Sequence, residues 1–498
     1  MFSPSLEEVK NIAKDKEYKR IPVSYELFSD IATPIEVLRI LKGVSNHCYM
    51  LESIEDVEKW GRYSFLGFDP LLEFTCQNGV VQIKGDADFK EFNDDLITIE
   101  TDNPGEIIKD LVLKNKSPKL SYLPPFTGGF VGYFAYDYIK YSEPSLNLDA
   151  ENQDKFKDID LMLFDKVIAF DNFKQKIILI ANMKTDDLEN NYQNVCKDLK
   201  KLAELIKYGK KSEMESLTLK SDFKPVFSRE KYCNMVDKAK EYIREGDIFQ
   251  VVLSNRIEAE ISGSLFDTYR VLRTTNPSPY MFYFSSNDIE IAGASPETLV
   301  KLDGRKLYTF PLAGTRPRGK TEEEDLMLEK ELLADEKELA EHNMLVDLGR
   351  NDIGRISEIG SVNVDKYLSI ERFSHVMHIG STVTGILRDD LDSLAAIDSI
   401  LPAGTLSGAP KLRACEIINE LEDNKRGIYG GAIGYVDLSG NIDTCISIRI
   451  AFARNNKVFI RSGAGIVADS VPENEFDECM NKAAAVINAL KIADGGLE

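Results

Sequence analysis

Apolar residues recur along this chain in two rhythms, and each predicts a different element. Short runs of alternating or unbroken hydrophobicity at 72–76, 80–83, 166–170 and 176–180 have the length of strands, whereas 187–208 repeats every three to four residues and reads as a helix. A polar stretch without clear period, 209–227, separates this part from a helix at 228–245. Further strand-like runs follow at 248–257, 280–284, 290–292, 428–436, 446–453 and 457–462, interleaved with long helices. The pattern predicts an α+β protein with an N-terminal domain over 1–210 and a main domain over 226–495. No internal repeat or low-complexity tract is visible in either part.

Two of the helical segments carry paired acids. In DEKELAEHNMLVDL (335–348), Asp335 can cap the helix, with Glu338 at the capping-box position. Spacings of three, four and three then place Glu338, Glu341, Leu345 and Leu348 on one face. Carboxylates sharing a face with leucines need a cationic partner, and a pair one turn apart suits a hard divalent ion. In SVPENEFDECMNKAAAVINAL, Ser470 and Glu473 form a second candidate capping box, and the apolar stripe runs through Phe476, Met480, Ala483, Ile487 and Leu490. Glu475, Glu478 and Lys482 lie opposite that stripe. Either acidic face taken alone reads as a solvated surface; only together do they suggest a shared Mg²⁺ site with oxygen ligands.

Composition narrows the partners. With 83 acidic residues against 61 Lys and Arg in 498, the net charge of −22 works against nucleic acid and anionic membranes, which both bind through clustered basic side chains. An anionic ligand then requires a local basic pocket or a bound cation. Seven scattered cysteines without a CxxC pair predict reduced thiols and a cytoplasmic setting rather than a disulfide framework. The N-terminal segment alternates charge without an apolar core, and no stretch approaches the roughly 18 to 20 apolar residues of a membrane span.

Glycine-rich runs at 311–319, 429–435 and 461–466 could bring backbone N–H groups to an anion, although none fits a nucleotide fingerprint. His375 and His378 lack the HExxH context of a zinc pair, so a histidine near a pocket is better suited to proton transfer.

A series of motifs then stands in order: MLES (50–53), NPSPYMFYF (276–284), GASPE (293–297), PLAGTRPRG (311–319), DEKELAEHNMLVDLGRNDIGRI (335–356), HVMHIGSTVTG (375–385), PAGTLSGAPK (402–411), GIYGGAIGY (427–435) and SGAGIVADSVPENEFDECMNKA (462–483). This series resembles the chorismate-utilising enzymes, specifically their anthranilate-forming branch, over roughly residues 20–490. The resemblance implies large antiparallel sheets packed with helices, and Mg²⁺-dependent amination of chorismate by ammonia followed by loss of pyruvate. It assigns Glu341 and Glu478 to the metal, with Glu338 and Glu475 nearby. Gly314, Thr315, Tyr429, Arg449, Gly463, Ala464 and Gly465 match chorismate-binding positions. Glu297 matches the acid that assists loss of the 4-hydroxyl, and His378, with Thr315 among the catalytic positions, the histidine of pyruvate elimination.

Two positions separate this chain from relatives of the same fold. Isochorismate- and salicylate-forming relatives carry a lysine where this chain has Gln250, and aminodeoxychorismate-forming relatives carry one where it has Ala313. A catalytically silent tryptophan-binding subunit is the alternative of another class, against which the intact Glu341, Glu478, His378 and Arg449 argue. No nucleophile-elbow pattern surrounds any cysteine, so a separate glutamine amidotransferase subunit is implied, in a heterotetramer of two large and two small subunits. The resemblance also assigns Glu52, Ser53, Asn276, Pro279, Tyr280, Met281 and Cys445 to an L-tryptophan feedback pocket distinct from the substrate site.

Overall fold

The continuously apolar runs become strands buried along their whole length, as a strand needs when a second sheet covers one face and helices cover the other. Ile159–Phe164 and Gly129–Phe134 are buried at every position, and Lys176–Lys184 at all but its ends. The computed structural model describes residues 2–53, 61–85, 96–372 and 376–497. It is an α+β fold in which a 14-stranded and a 12-stranded antiparallel sheet carry helices on their outer faces.

Between the sheets lies an aromatic core containing Tyr49, Phe126, Tyr133, Phe164, Phe282 and Phe452. Burial of each such side chain contributes about 1.5–3 kcal/mol. Helices Leu188–Tyr208 and Pro472–Ala493 cover the outside of the larger sheet through Leu199, Leu202, Ile206, Ala483, Val486 and Leu490. Helices Pro104–Lys114 and Ser393–Ile400 cover the smaller one through Ile108, Leu111, Leu394 and Ile397.

The topology is duplicated although the sequence shows no repeat. From the middle of the larger sheet outward, one side runs Cys48–Glu52, Tyr63–Phe68, Lys166–Asp171, Lys176–Lys184, Arg20–Phe28, and the other Tyr280–Ser285, Glu290–Ser295, Ile450–Arg454, Lys457–Ile466, Gln250–Ser262. The smaller sheet repeats the device about the pair Gly129–Phe134 and Ala432–Asp437. Both sheets therefore run unbroken across the expected boundary, with Met281 opposite Glu52 and Gly434 opposite Gly132. The regions 1–210 and 226–495 approximate the two halves of this duplication, yet neither has a sheet of its own. The stretch 209–227 is itself partly ordered: Thr218–Leu219 and Lys224–Pro225 pair with Gln250–Ser262.

Several local expectations change. Helix Glu336–Gly354 is capped by Asp335, which accepts from the N–H groups of Lys337 and Glu338, but Glu338 does not close a capping box and lies 3.6 Å from Arg316 instead. The last helix starts at Pro472 with Val471 as its cap, because proline has the φ of a first helical residue and no N–H to satisfy. The Ser470 hydroxyl accepts from the Val467 N–H instead. The 446–453 run is not one strand but the junction of Ile442–Ile446 in the smaller sheet and Ile450–Arg454 in the larger.

Candidate active site

The site forms where strands pass from one sheet to the other. Glu290–Ser295 lies in the larger sheet and Thr298–Asp303 in the smaller, so Pro296 and Glu297 make the crossing. Ser447–Arg449 makes the reverse crossing, with Arg449 at a φ of 51°. The two corners are tied together: the Ile446 N–H donates to the Glu297 carbonyl at 2.9 Å, and the Ser295 hydroxyl donates to the Ile446 carbonyl at 2.7 Å. Residues 297 and 449, 152 apart in sequence, are thereby neighbours.

Burial pushes the Glu297 carboxyl up to about 7, against the hydrogen bond it accepts from the Thr405 hydroxyl at 3.1 Å and the positive charges of Arg449 and Lys482. Burial likewise holds the Arg449 guanidinium below its usual value, with Glu297 opposing. Among the described residues no carboxylate lies within 4.0 Å of Arg449. A desolvated guanidinium without an acid in contact is a site for an anion.

His378 is held by a bulge. Strand Leu312–Pro317 pairs with Val376–Ile386, with Ala313 opposite Ile379 and Arg316 opposite Met377, so Gly314 and Thr315 together face His378. Gly314 has a φ of +66°, and a Cβ there would approach Leu332 to 3.0 Å. Its carbonyl lies 2.7 Å from His378 Nδ1, with the Thr315 hydroxyl 3.2 Å from the same nitrogen. A carbonyl only accepts, so Nδ1 carries the hydrogen and Nε2 is the proton-accepting nitrogen of the neutral ring. Burial keeps the imidazole below its ordinary pKa; the Gly314 carbonyl opposes this and Arg449 adds to it.

The glycines of 463–465 are required by close approach. In the register of Lys457–Ile466 against Gln250–Ser262, a Cβ at 463 would lie 2.5 Å from the Leu253 carbonyl, and one at 465 would lie 2.6 Å from Gln250 Nε2. Gln250 is buried and its Oε1 has no hydrogen-bond partner among the described residues. Ala464 points the other way, into the cluster under the adjoining helices. Beneath these strands Glu422, Arg426 and Arg461 form a buried ion-pair network carrying one excess positive charge. Arg426 lies 5.9 Å from the Tyr429 ring centroid and donates to the Leu406 carbonyl, fixing the loop that presents Thr405.

The four acids of the expected metal site converge from helices Glu336–Gly354 and Pro472–Ala493. Glu341 is raised above its ordinary value by burial and by Glu338 and Glu478, with Lys482 and Lys337 opposing. Glu475 is raised by burial and by Glu478. Such repulsion between oxygen donors, only partly relieved by the two lysines, fits a hard divalent cation. Within the described residues, however, the one acid triad whose oxygens lie within 4.8 Å of one another is Glu73, Asp160 and Asp288, remote in sequence from these four and already bridged by Lys157. At the four-acid cluster, the Lys482 ammonium sits 2.6 Å from Glu478.

A cavity of about 570 Å³ is lined by His378, Arg449, Glu478, Lys482 and the loop Asn276–Ser278. Thr405 and Lys482 are the residues the sequence did not single out for the site. Thr405 stands within the quoted PAGTLSGAPK motif, and Lys482 was placed on a solvated helix face. His375 lies outside the described residues.

The residues assigned to feedback gather at the middle of the larger sheet. The Glu52 carboxylate is buried and accepts from Tyr269 at 2.5 Å and from Arg273 at 2.5 and 3.0 Å. Ser53 follows with its hydroxyl buried and without a hydrogen-bond partner among the described residues. Tyr280, whose hydroxyl bonds Thr298 and Asp443, and Met281 lie on the neighbouring strand, after Asn276 and Pro279, while buried Cys445 comes from the smaller sheet. Because Asn276 also lines the cavity, one loop touches both groups.

A corner between two sheets that sets a buried guanidinium and a neutral imidazole on one cavity, with a protonatable acid beside the guanidinium, has the chemistry to receive a small anionic molecule. The chain belongs to the chorismate binding enzyme family, whose pattern it matches over residues 47–488. It is 46% identical over 507 residues to anthranilate synthase component 1 of Acetivibrio thermocellus and 43% identical over 502 residues to that of Aquifex aeolicus, covering 99% of each chain in both cases. Among solved structures it is similar to anthranilate synthase component I from Streptococcus pneumoniae, at 37% identity and a TM-score of 0.74, covering 92% of this chain and 98% of that one.

Proposed function

We propose that this protein is the chorismate-aminating subunit of an anthranilate synthase, acting in the cytoplasm at the head of tryptophan biosynthesis and using ammonia as its nitrogen source. The observation that carries the reading is that His378 and Arg449 line one cavity while the corner bearing Glu297 is hydrogen-bonded to the corner bearing Arg449. Arg449, Tyr429 and the backbone of Gly314, Thr315, Gly463, Ala464 and Gly465 hold the dicarboxylate. Ammonia forms a bond to C2 while protonated Glu297 gives its proton to the 4-hydroxyl, which leaves as water as the ring double bonds shift. In the second step His378 takes the C2 proton through Nε2, the C3–O bond breaks, and the departing enolpyruvate is protonated to pyruvate. Mg²⁺ held by Glu341 and Glu478, with Glu338 and Glu475 beside them, would offset substrate carboxylate charge.

All seven cysteines are free thiols, and five of them are buried. With no glutaminase pattern around any, glutamine hydrolysis is assigned to a partner subunit. The isolated chain is expected to form anthranilate from chorismate, Mg²⁺ and ammonium, followed by product fluorescence, and to form none from glutamine until a cognate amidotransferase is added. Glutamine-dependent turnover by the chain alone overturns the division of labour; absence of product with ammonium overturns the activity.

Feedback by L-tryptophan is proposed at the Glu52–Ser53 and Tyr280–Met281 strand pair. Its support is the buried Ser53 hydroxyl, without a partner among the described residues, and the loop shared with the cavity. Ser53→Phe is expected to abolish inhibition by tryptophan while uninhibited turnover changes little, as read from inhibition curves of the two proteins. Unchanged sensitivity would remove this pocket from consideration.

A further inference from the structure

Lys482 stands one helical turn after Glu478, its ammonium 2.6 Å from that carboxylate and 3.2 Å from the Gly463 carbonyl. On an ordinary helix surface a Glu followed by a Lys four residues later is a weak, solvent-screened pair. This one differs in its setting. Both side chains line the cavity that contains His378 and Arg449. The ammonium is also close enough to Glu341, Glu475 and Glu297 to oppose the upward shift of each. Lys337 also opposes the first two shifts, and among the described residues the one Lys or Arg ion pair within 4.0 Å of Glu341, Glu475 or Glu478 is that of Lys482 with Glu478.

We propose that Lys482 is the built-in counterion of the acid cluster, and that a divalent cation binds there by exchange for it. The ammonium leaves Glu478 as the cation takes the carboxylate, and it then lies over the same cavity as Arg449, a second positive charge for an anionic ligand. The exchange rests on the metal site proposed above and adds a consequence to it. In the metal-free protein the repulsion between acids on two helices is partly neutralised, so the cluster stays assembled. Because the cation must displace an internal competitor, its apparent affinity is lowered. Metal and anionic ligand both favour the state with Lys482 released, so each strengthens binding of the other, by the same factor.

The test is a titration of the full chain with Mn²⁺, standing in for Mg²⁺, with free Mn²⁺ counted by electron paramagnetic resonance and no substrate present. Wild type, Lys482→Met and Lys482→Arg are compared. Lys482→Met is expected to bind Mn²⁺ about fivefold more tightly or better, at the lower end of ordinary coupling between sites. Lys482→Arg, which keeps the charge, is expected to stay near wild type. Adding chorismate without a nitrogen source is expected to tighten Mn²⁺ binding by a larger factor in wild type than in Lys482→Met, where only the direct attraction between the cation and the substrate carboxylates remains. Equal or weaker binding by Lys482→Met overturns the exchange while leaving the metal site standing; binding of Mn²⁺ by neither protein overturns both.

Discussion

Replacing Glu297 with Gln is expected to lower kcat/KM for ammonium-dependent anthranilate formation by about 10²- to 10⁴-fold, the range that a positioned proton donor supplies. The side chain has the acid's shape and can still accept from Thr405, but it has no proton to give the departing 4-hydroxyl. The pH profile makes the assignment specific. Burial lifts Glu297 to about 7, so it is protonated and competent below that pH. With free ammonia held constant across the series, kcat/KM is expected to be flat below pH 7 and to fall towards tenfold per unit above it. The residual activity of Glu297→Gln should lack this descending limb. A variant that keeps both the rate and the limb would show that another group donates the proton.

Glu341→Gln and Glu478→Gln are each expected to reduce turnover by about a thousandfold at submillimolar Mg²⁺, because an uncharged amide is a poor ligand for a hard cation. The loss should shrink as Mg²⁺ is raised, since the defect lies in holding the ion. Folding should be unimpaired: Glu341 is raised by burial and by like charges, so neutralising it removes repulsion, and the pair that Glu478 makes with Lys482 is half-exposed and solvent-screened, so losing it costs little. Thermal melting of the metal-free variants near or above the wild-type temperature, alongside lost activity, is the expected pair of results. Wild-type rates at low Mg²⁺ would return both acids to the role of a solvated helix face.

The two predictions depend on features of different legibility. The acid pairs were visible because helix periodicity is local: Glu338 with Glu341, and Glu475 with Glu478, share a face whatever the rest of the chain does. That the two faces meet could not be read from spacing, since 137 residues separate Glu341 from Glu478 and only the packing of two helices beside the same sheet corner joins them. Capping was legible for Asp335, where one side chain meets the N–H groups of Lys337 and Glu338. It misled at Ser470, where Pro472 takes the first helical position and moves the start.

By itself the sequence determined the elements, the excess of negative charge that requires local cations around an anionic ligand, and, through its ordered motifs, the family. Tertiary structure decided the rest. It merged the two halves into shared sheets, because each edge strand finds its missing backbone partners in the other half. It turned the apolar run 446–453 into a corner that brings Arg449 to Glu297, and opposed His378 with a two-residue bulge that fixes its tautomer. It also gave Thr405 and Lys482 their places. The physical reason is common to all of these: periodicity reports which face of an element is buried, whereas proton affinity, ion pairing and cavity lining depend on groups far apart in the chain whose distances exist only after the sheets have packed.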